Sequence, residues 1–143
     1  MMNKAIGLIL FSCVCLPACG DDDDESDKTE ALEIEGAWES NFMSTEVIDD
    51  GSWSVDFGSG PAASEIVDFS NDDNSAVLLG EDGTYGRNVW TEIANDSFYY
   101  CMVSFGHASA ADAVAQSEPA DEANPATGGC GAGDFAWTML TRQ

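Results

Sequence analysis

Positive charge is scarce in this 143-residue chain: 4 lysines and arginines stand against 27 aspartates and glutamates. A surface of that sign repels phosphate backbones and anionic lipid headgroups, which argues against a nucleic-acid partner. Histidine is nearly absent, with His107 alone. A Ser-His-Asp arrangement would have to use it as base, and no nucleophile elbow accompanies it. A metal site joining His107 to Cys101 and Cys130 would need both thiols reduced and a fourth ligand. No catalytic residue, metal-ligand set or cofactor motif is assigned, and the chain reads as non-enzymatic. Long apolar runs are missing too. The longest, Ala5 to Leu16, is about 12 residues; as a helix it spans about 18 Å, short of a hydrocarbon core of about 30 Å. There is no C-x-x-C, so the cysteines carry no dithiol redox motif.

What is present begins with Lys4, the short apolar run and a small-residue cleavage region, the layout of a secretory signal peptide. Leu16-Pro17-Ala18-Cys19 resembles the lipobox of bacterial lipoproteins, with Pro17 where that family usually has Ala, Ser or Thr. The resemblance covers about the first 25 residues, the targeting segment, and says nothing of the fold beyond. It implies cleavage before Cys19. That residue would then carry a diacylglyceryl thioether and an amide-linked acyl chain such as palmitate, making the membrane a partner. One acyl chain anchors marginally, whereas two or more hold stably. Gly20, where an aspartate would signal inner-membrane retention, implies sorting to the outer membrane. The run from Gly20 to Ser26, GDDDDES, resembles the tag that exports some lipoproteins to the cell surface. The expected address is the cell envelope, facing either the periplasm or the exterior.

Removing Lys4 leaves Lys28, Arg87 and Arg142 against 27 acidic residues, a net charge of about −24. Most of that charge serves solubility. Asp21 to Glu35 has almost no aromatic or β-branched content and reads as a tether. The expected organisation is a signal peptide over 1–18, a lipidated cysteine and acidic tether over 19–35, and one domain over 36–143.

That domain reads as all-β, an antiparallel sandwich or small barrel. Trp53, Val55 and Phe57 alternate with Ser52, Ser54 and Asp56. Asp50-Gly51 before them signals a two-residue hairpin. Its register sets Ile48 opposite Trp53, which suits a core, and Glu46 opposite Val55, which does not. Further strands are expected at 38–42, 65–69, 76–79, 88–93, 98–105 and 135–141. In 98–105 one face carries Phe98, Tyr100 and Met102, and the other Tyr99, Cys101, Val103 and Phe105. A strand apolar on both faces must be covered on both. The core, shared with Phe135, Trp137 and Met139, would cover one. A short helix over 109–117, opened by Ser109 and Asp112 as a capping pair, would cover the other.

Cys13 and Cys15 leave with the signal peptide and Cys19 takes lipid, so Cys101 and Cys130 remain as a pair in an oxidising compartment and are expected to form a disulfide. Asp68, Asn71, Asp72, Asp73 and Asn74 surround one turn and could supply oxygens to calcium, though the EF-hand spacing is absent and a polar hairpin tip has the same composition. The pairs Glu65/Asp68 and Glu81/Asp82 carry no acid–base signal in a chain this acidic. Gly36-Ala37-Trp38 is similar to the G-x-W motif of lipocalins, small barrels that carry apolar ligands, and Arg142 matches the late arginine that packs on the tryptophan in that family. This resemblance implies an internal cavity lined by Trp38, Trp53, Phe57, Tyr100 and Trp137. The function expected is a non-catalytic binding or structural domain at the envelope, its partner a protein, or, as the lipocalin alternative, a small apolar ligand.

Overall fold

The computed structural model describes residues 30–143; the expected signal peptide, Cys19 and the expected tether up to residue 29 lie outside them. Eight strands follow one another: β1 (Gly36–Ser40), β2 (Thr45–Ile48), β3 (Ser52–Asp56), β4 (Ala62–Ser70), β5 (Ser75–Leu79), β6 (Tyr85–Trp90), β7 (Ser97–His107) and β8 (Thr138–Arg142). One helix, α1 (Ala110–Ala115), lies between β7 and β8. Each strand pairs antiparallel with its neighbours in sequence, and β8 pairs with β1 to close the sheet. The domain is therefore an up-and-down closed barrel, an architecture that leaves no sheet edge.

Turn chemistry fixes the register. The Asp49 carboxylate accepts from the backbone N–H of Gly51 at 2.9 Å and of Ser52 at 2.6 Å, which organises the Asp50-Gly51 hairpin. Ile48 faces Trp53 and Glu46 faces Val55, the register that the turn dictates. Asn95 and Asp96, at φ 52° and 56°, form a two-residue turn between the bridged Ala94 and Ser97, at the end of the 91–96 connection from β6 to β7. Two successive left-handed residues match the right-handed twist of a hairpin.

Inside the barrel, Trp38, Trp53, Trp90, Phe98 and Leu140 pack with Ile48, Ile66 and Leu78. Trp38 meets Phe98 edge-on, with ring centroids 4.8 Å apart. The packed domain starts earlier than Gly36. Leu32 and Ile34 are buried in the same core, and Trp90 Nε1 donates to Glu33 Oε1 at 2.6 Å. Asn71 holds this segment from both sides, donating to Ala31 O at 2.8 Å and accepting from Glu33 N at 3.1 Å. Residues 31–34 thus close the barrel end where β1 begins and β8 finishes. Two apolar side chains at period two did this work inside a segment whose acidic composition reads as tether.

On the outside, α1 packs over β5, β6 and β7. Ser109 caps it, accepting from Asp112 N at 3.1 Å. Ala113 is fully buried, and Ser104 Oγ donates to its carbonyl at 2.7 Å. The Cys101–Cys130 disulfide packs with Val103 and Trp137 in a second apolar cluster. In the chain-entropy description a loop of this length contributes about 3–4 kcal/mol when closed.

Two faces differ from expectation. β8 begins only at Thr138 and turns Leu140 to the core; Trp137 joins the disulfide outside, and Phe135 is exposed. Along β7, Met102 faces Asn88 and Ser104 faces Arg87, so Val103 is an extra residue. Such a bulge shifts the alternation of side chains beyond it. Phe105 accordingly leaves the face of Cys101 and Val103 and reaches the mouth of the barrel.

Candidate functional site: the open mouth of the barrel

The closed end is sealed by Trp38. Its Nε1 donates to Ile34 O at 3.0 Å, and the Arg142 guanidinium lies 4.3 Å from the ring centroid. Arg142 also donates to Glu35 O at 3.3 Å and pairs with Asp96 at 3.8 Å. Gly36, at φ +147°, makes room for this stack. A Cβ there would lie 2.6 Å from Arg142 Nη1. The G-x-W spacing and the late arginine thus meet in one physical arrangement, a cation over an indole face.

The opposite end is open. It holds a cavity of about 300 Å³ walled by the start of β4 (Ala62 to Ser64), the β5–β6 turn (Gly80 to Thr84), Leu78, Gly86, Asn88, Met102, Tyr85 and Phe105. Small side chains create the space: Ala62, Ala63, Ser64 and Gly86 contribute little volume. Gly86 also permits close strand contact, since a Cβ there would lie 2.8 Å from Ser104 O. The wall is mostly apolar, and Asn88 is its one buried polar side chain. Asn88 is 2% exposed, and its Oδ1 has no hydrogen-bond partner. A buried amide oxygen without a partner costs about 1–3 kcal/mol. Phe105 is 74% exposed at the rim. Phe42 and Met43 in the β1–β2 turn and Phe57 in the β3–β4 loop are exposed at the same end.

One pleat deeper lies an internal carboxyl. Glu46, 1% exposed, accepts from Trp53 Nε1 at 2.7 Å, Tyr100 OH at 3.1 Å and Ser44 Oγ at 3.3 Å. Trp53 is paired with the cavity residue Ser64, and Tyr100 is two residues from Met102 on the same face of β7. Burial pushes the Glu46 carboxyl above its ordinary value; the three hydrogen bonds pull the other way and are outweighed. Burial and the neighbouring Glu46 both push the Tyr100 phenol up. The pair favours its neutral forms, with Tyr100 a hydrogen-bond donor.

The five aromatics expected to line a cavity are not assembled there. Trp38 seals the closed end, Trp53 and Tyr100 surround Glu46, Phe57 is 69% exposed on a loop, and Trp137 packs outside the barrel on the disulfide. None of them borders the cavity. Aromatic size favours core, whereas space is left by small residues. The run Ala62-Ala63-Ser64 and an asparagine two residues before Trp90 on a strand were the signals that could have located the mouth. At the acidic turn, Asn71 is occupied with residues 31–33, and Asp73 Oδ2 accepts from Ser70 Oγ at 3.2 Å. Among the described residues no three His, Cys, Asp or Glu side chains gather as metal ligands. His107 lies at the end of β7 opposite Tyr85, and Cys101 and Cys130 are bonded to each other.

The fold and site define a class: a closed eight-stranded antiparallel barrel with a small apolar cavity at one mouth. No family model, no curated protein and no solved structure matches the chain.

Proposed function

We propose that this protein is an envelope lipoprotein whose barrel binds a small, largely apolar molecule at its open mouth, without catalysis. The observation that carries the binding reading is the cavity of about 300 Å³, mostly apolar in its lining and bordered by Asn88. Ligand sites are typically concave, mostly apolar and equipped with a few placed polar groups, and about 300 Å³ is the lower end of their range. Closure of the other end by Leu32, Ile34, Trp38 and Arg142 gives the barrel the cup shape that a lipocalin-like carrier needs. The address rests on the sequence alone: the lipobox-like Leu16-Pro17-Ala18-Cys19 implies a lipid anchor.

Calorimetric titration with 1-octanol tests the binding. Saturable binding with a negative heat-capacity change is expected. It should vanish in Ala62→Trp, which fills the mouth from an exposed position. Absence of binding to the parent protein would overturn the reading. Metabolic labelling with palmitate tests the address. Label should enter the parent chain and not Cys19→Ser; an unlabelled parent chain would remove the anchor.

A further inference from the structure

Among the described residues Glu46 is the one acidic side chain that is buried. Its hydrogen bonds reach across the barrel. Oε2 accepts from Trp53 on β3 and Oε1 from Tyr100 on β7. β3 and β7 stand four places apart in the closed ring of eight strands, on opposite walls. The Trp53 and Tyr100 rings meet edge-on, with centroids 4.9 Å apart. Carboxyl and rings together form a strut behind the cavity. Trp53 is paired with Ser64, Tyr100 is two residues from Met102 on the same face of β7, and Ser64 and Met102 both border the cavity.

The groups around Glu46 bring no charge to balance it. On β1 they are Trp38 and Ser40, on β2 Ser44, on β3 Trp53 and Val55, and on β7 Tyr100. Tyr100 is the one titratable group among them, and Arg142, stacked on Trp38, pairs with Asp96 instead. Two demands on the carboxyl conflict. Three donors suit the ionised form, which only accepts, whereas burial without a cation suits the neutral form. Both forms can be hydrogen-bonded, because the bond between the Ser40 and Ser44 hydroxyls, 2.6 Å apart, can run in either direction. With a proton on Glu46, Ser44 accepts from the carboxyl and donates to Ser40. Burial prevails and holds the carboxyl above its ordinary value.

We infer that Glu46 is a proton-operated latch beneath the mouth: neutral, it ties β2, β3 and β7 together under an intact cavity, and ionised, it draws water into the floor and loosens the cavity. The cost of an unbalanced buried charge drives the second step. The consequence for binding rests on the reading of the mouth as a site for an apolar molecule. A wet floor holds such a molecule less well, so affinity falls as pH rises. By linkage, filling the mouth takes up a proton.

The latch is read directly from the Trp53 indole N–H resonance, followed from about pH 4 to about pH 9. It should titrate once, above the ordinary carboxylate range, and stay flat in Glu46→Gln. Tyr100→Phe removes one donor to the ionised carboxylate and should move the midpoint upward, which a merely structural tyrosine would not do. Affinity for 1-octanol should be about fivefold or more weaker at about pH 8 than at about pH 5, and the difference should be lost in Glu46→Gln. Any contribution of His107, opposite Tyr85 at the rim, survives in that variant and is thereby separated. A flat Trp53 resonance in the parent protein, or the same titration in Glu46→Gln, overturns the latch. Octanol affinity that ignores pH while Trp53 titrates overturns its coupling to the mouth. Octanol that binds at no pH while Trp53 titrates overturns the binding reading and leaves the latch standing.

Discussion

Glu46 shows how a residue can look misplaced in the sequence and be well housed in the fold. The Asp50-Gly51 register sets it opposite Val55 on the core side, and the structure keeps that register. Its cost is met by three donors that only the closed barrel assembles. Because burial raises the folded carboxyl above its unfolded value of 4.5, the fold favours the protonated form. Stability is therefore fullest at acid pH and is lost as pH rises from about the ordinary carboxylate value through the higher folded one, by about 1.4 kcal/mol per unit of difference. Glu46→Gln, uncharged at every pH, is expected to melt like the parent protein at pH 4 and above it at pH 7, with the pH dependence reduced by that difference. Equal or lower melting of the variant at pH 7 would show that the buried carboxylate is not strained. What was legible here was the conflict itself: a carboxylate forced inward by a strong turn. Its partners were not, since Tyr100 is 54 residues away in sequence. Gly36, Trp38 and Arg142 were legible as a set only through the resemblance to the G-x-W motif; the physical contact, a guanidinium over the indole beside Gly36, appears only in the fold.

At the scale of elements, alternation and turn residues located most strands, and the capping pair located the helix. Ser109 does cap α1, which ends at Ala115, within the expected 109–117. The misplaced faces of β7 and β8 have one origin, a change of phase. A single extra residue at Val103 moves Phe105 from the outer face to the mouth, and no local signal marks that bulge. In the last strand the apolar positions 135, 137 and 139 suggested an inward face, but the disulfide cluster draws Trp137 outward and the strand starts with the opposite phase, Leu140 inside. Leu32 and Ile34 were hidden by the composition around them. Asn95-Asp96, a left-handed two-residue turn, could have been read from the same rules as Asp50-Gly51. The candidate site was hardly legible, because a cavity is set by what its walls lack. Four distant stretches, from β4, β5, β6 and β7, meet at one end, and the small side chains of β4 and Gly86 of β6 leave the space between them.

At the scale of the whole molecule, the barrel has polarity. The chain enters at the end sealed by residues 31–34, and the cavity opens at the other. The acidic surface keeps the domain soluble, and the exposed Phe42, Met43, Phe57 and Phe105 concentrate apolar surface around the opening. This division of the barrel into a sealed base and a receptive mouth is most directly tested by amide chemical-shift mapping on titration with 1-octanol. Shifts are expected at 62–64, 80–88 and 102–106, with residues 32–38 at the sealed base unmoved. Shifts confined to the base or spread over the outer surface, with the mouth silent, would contradict the account.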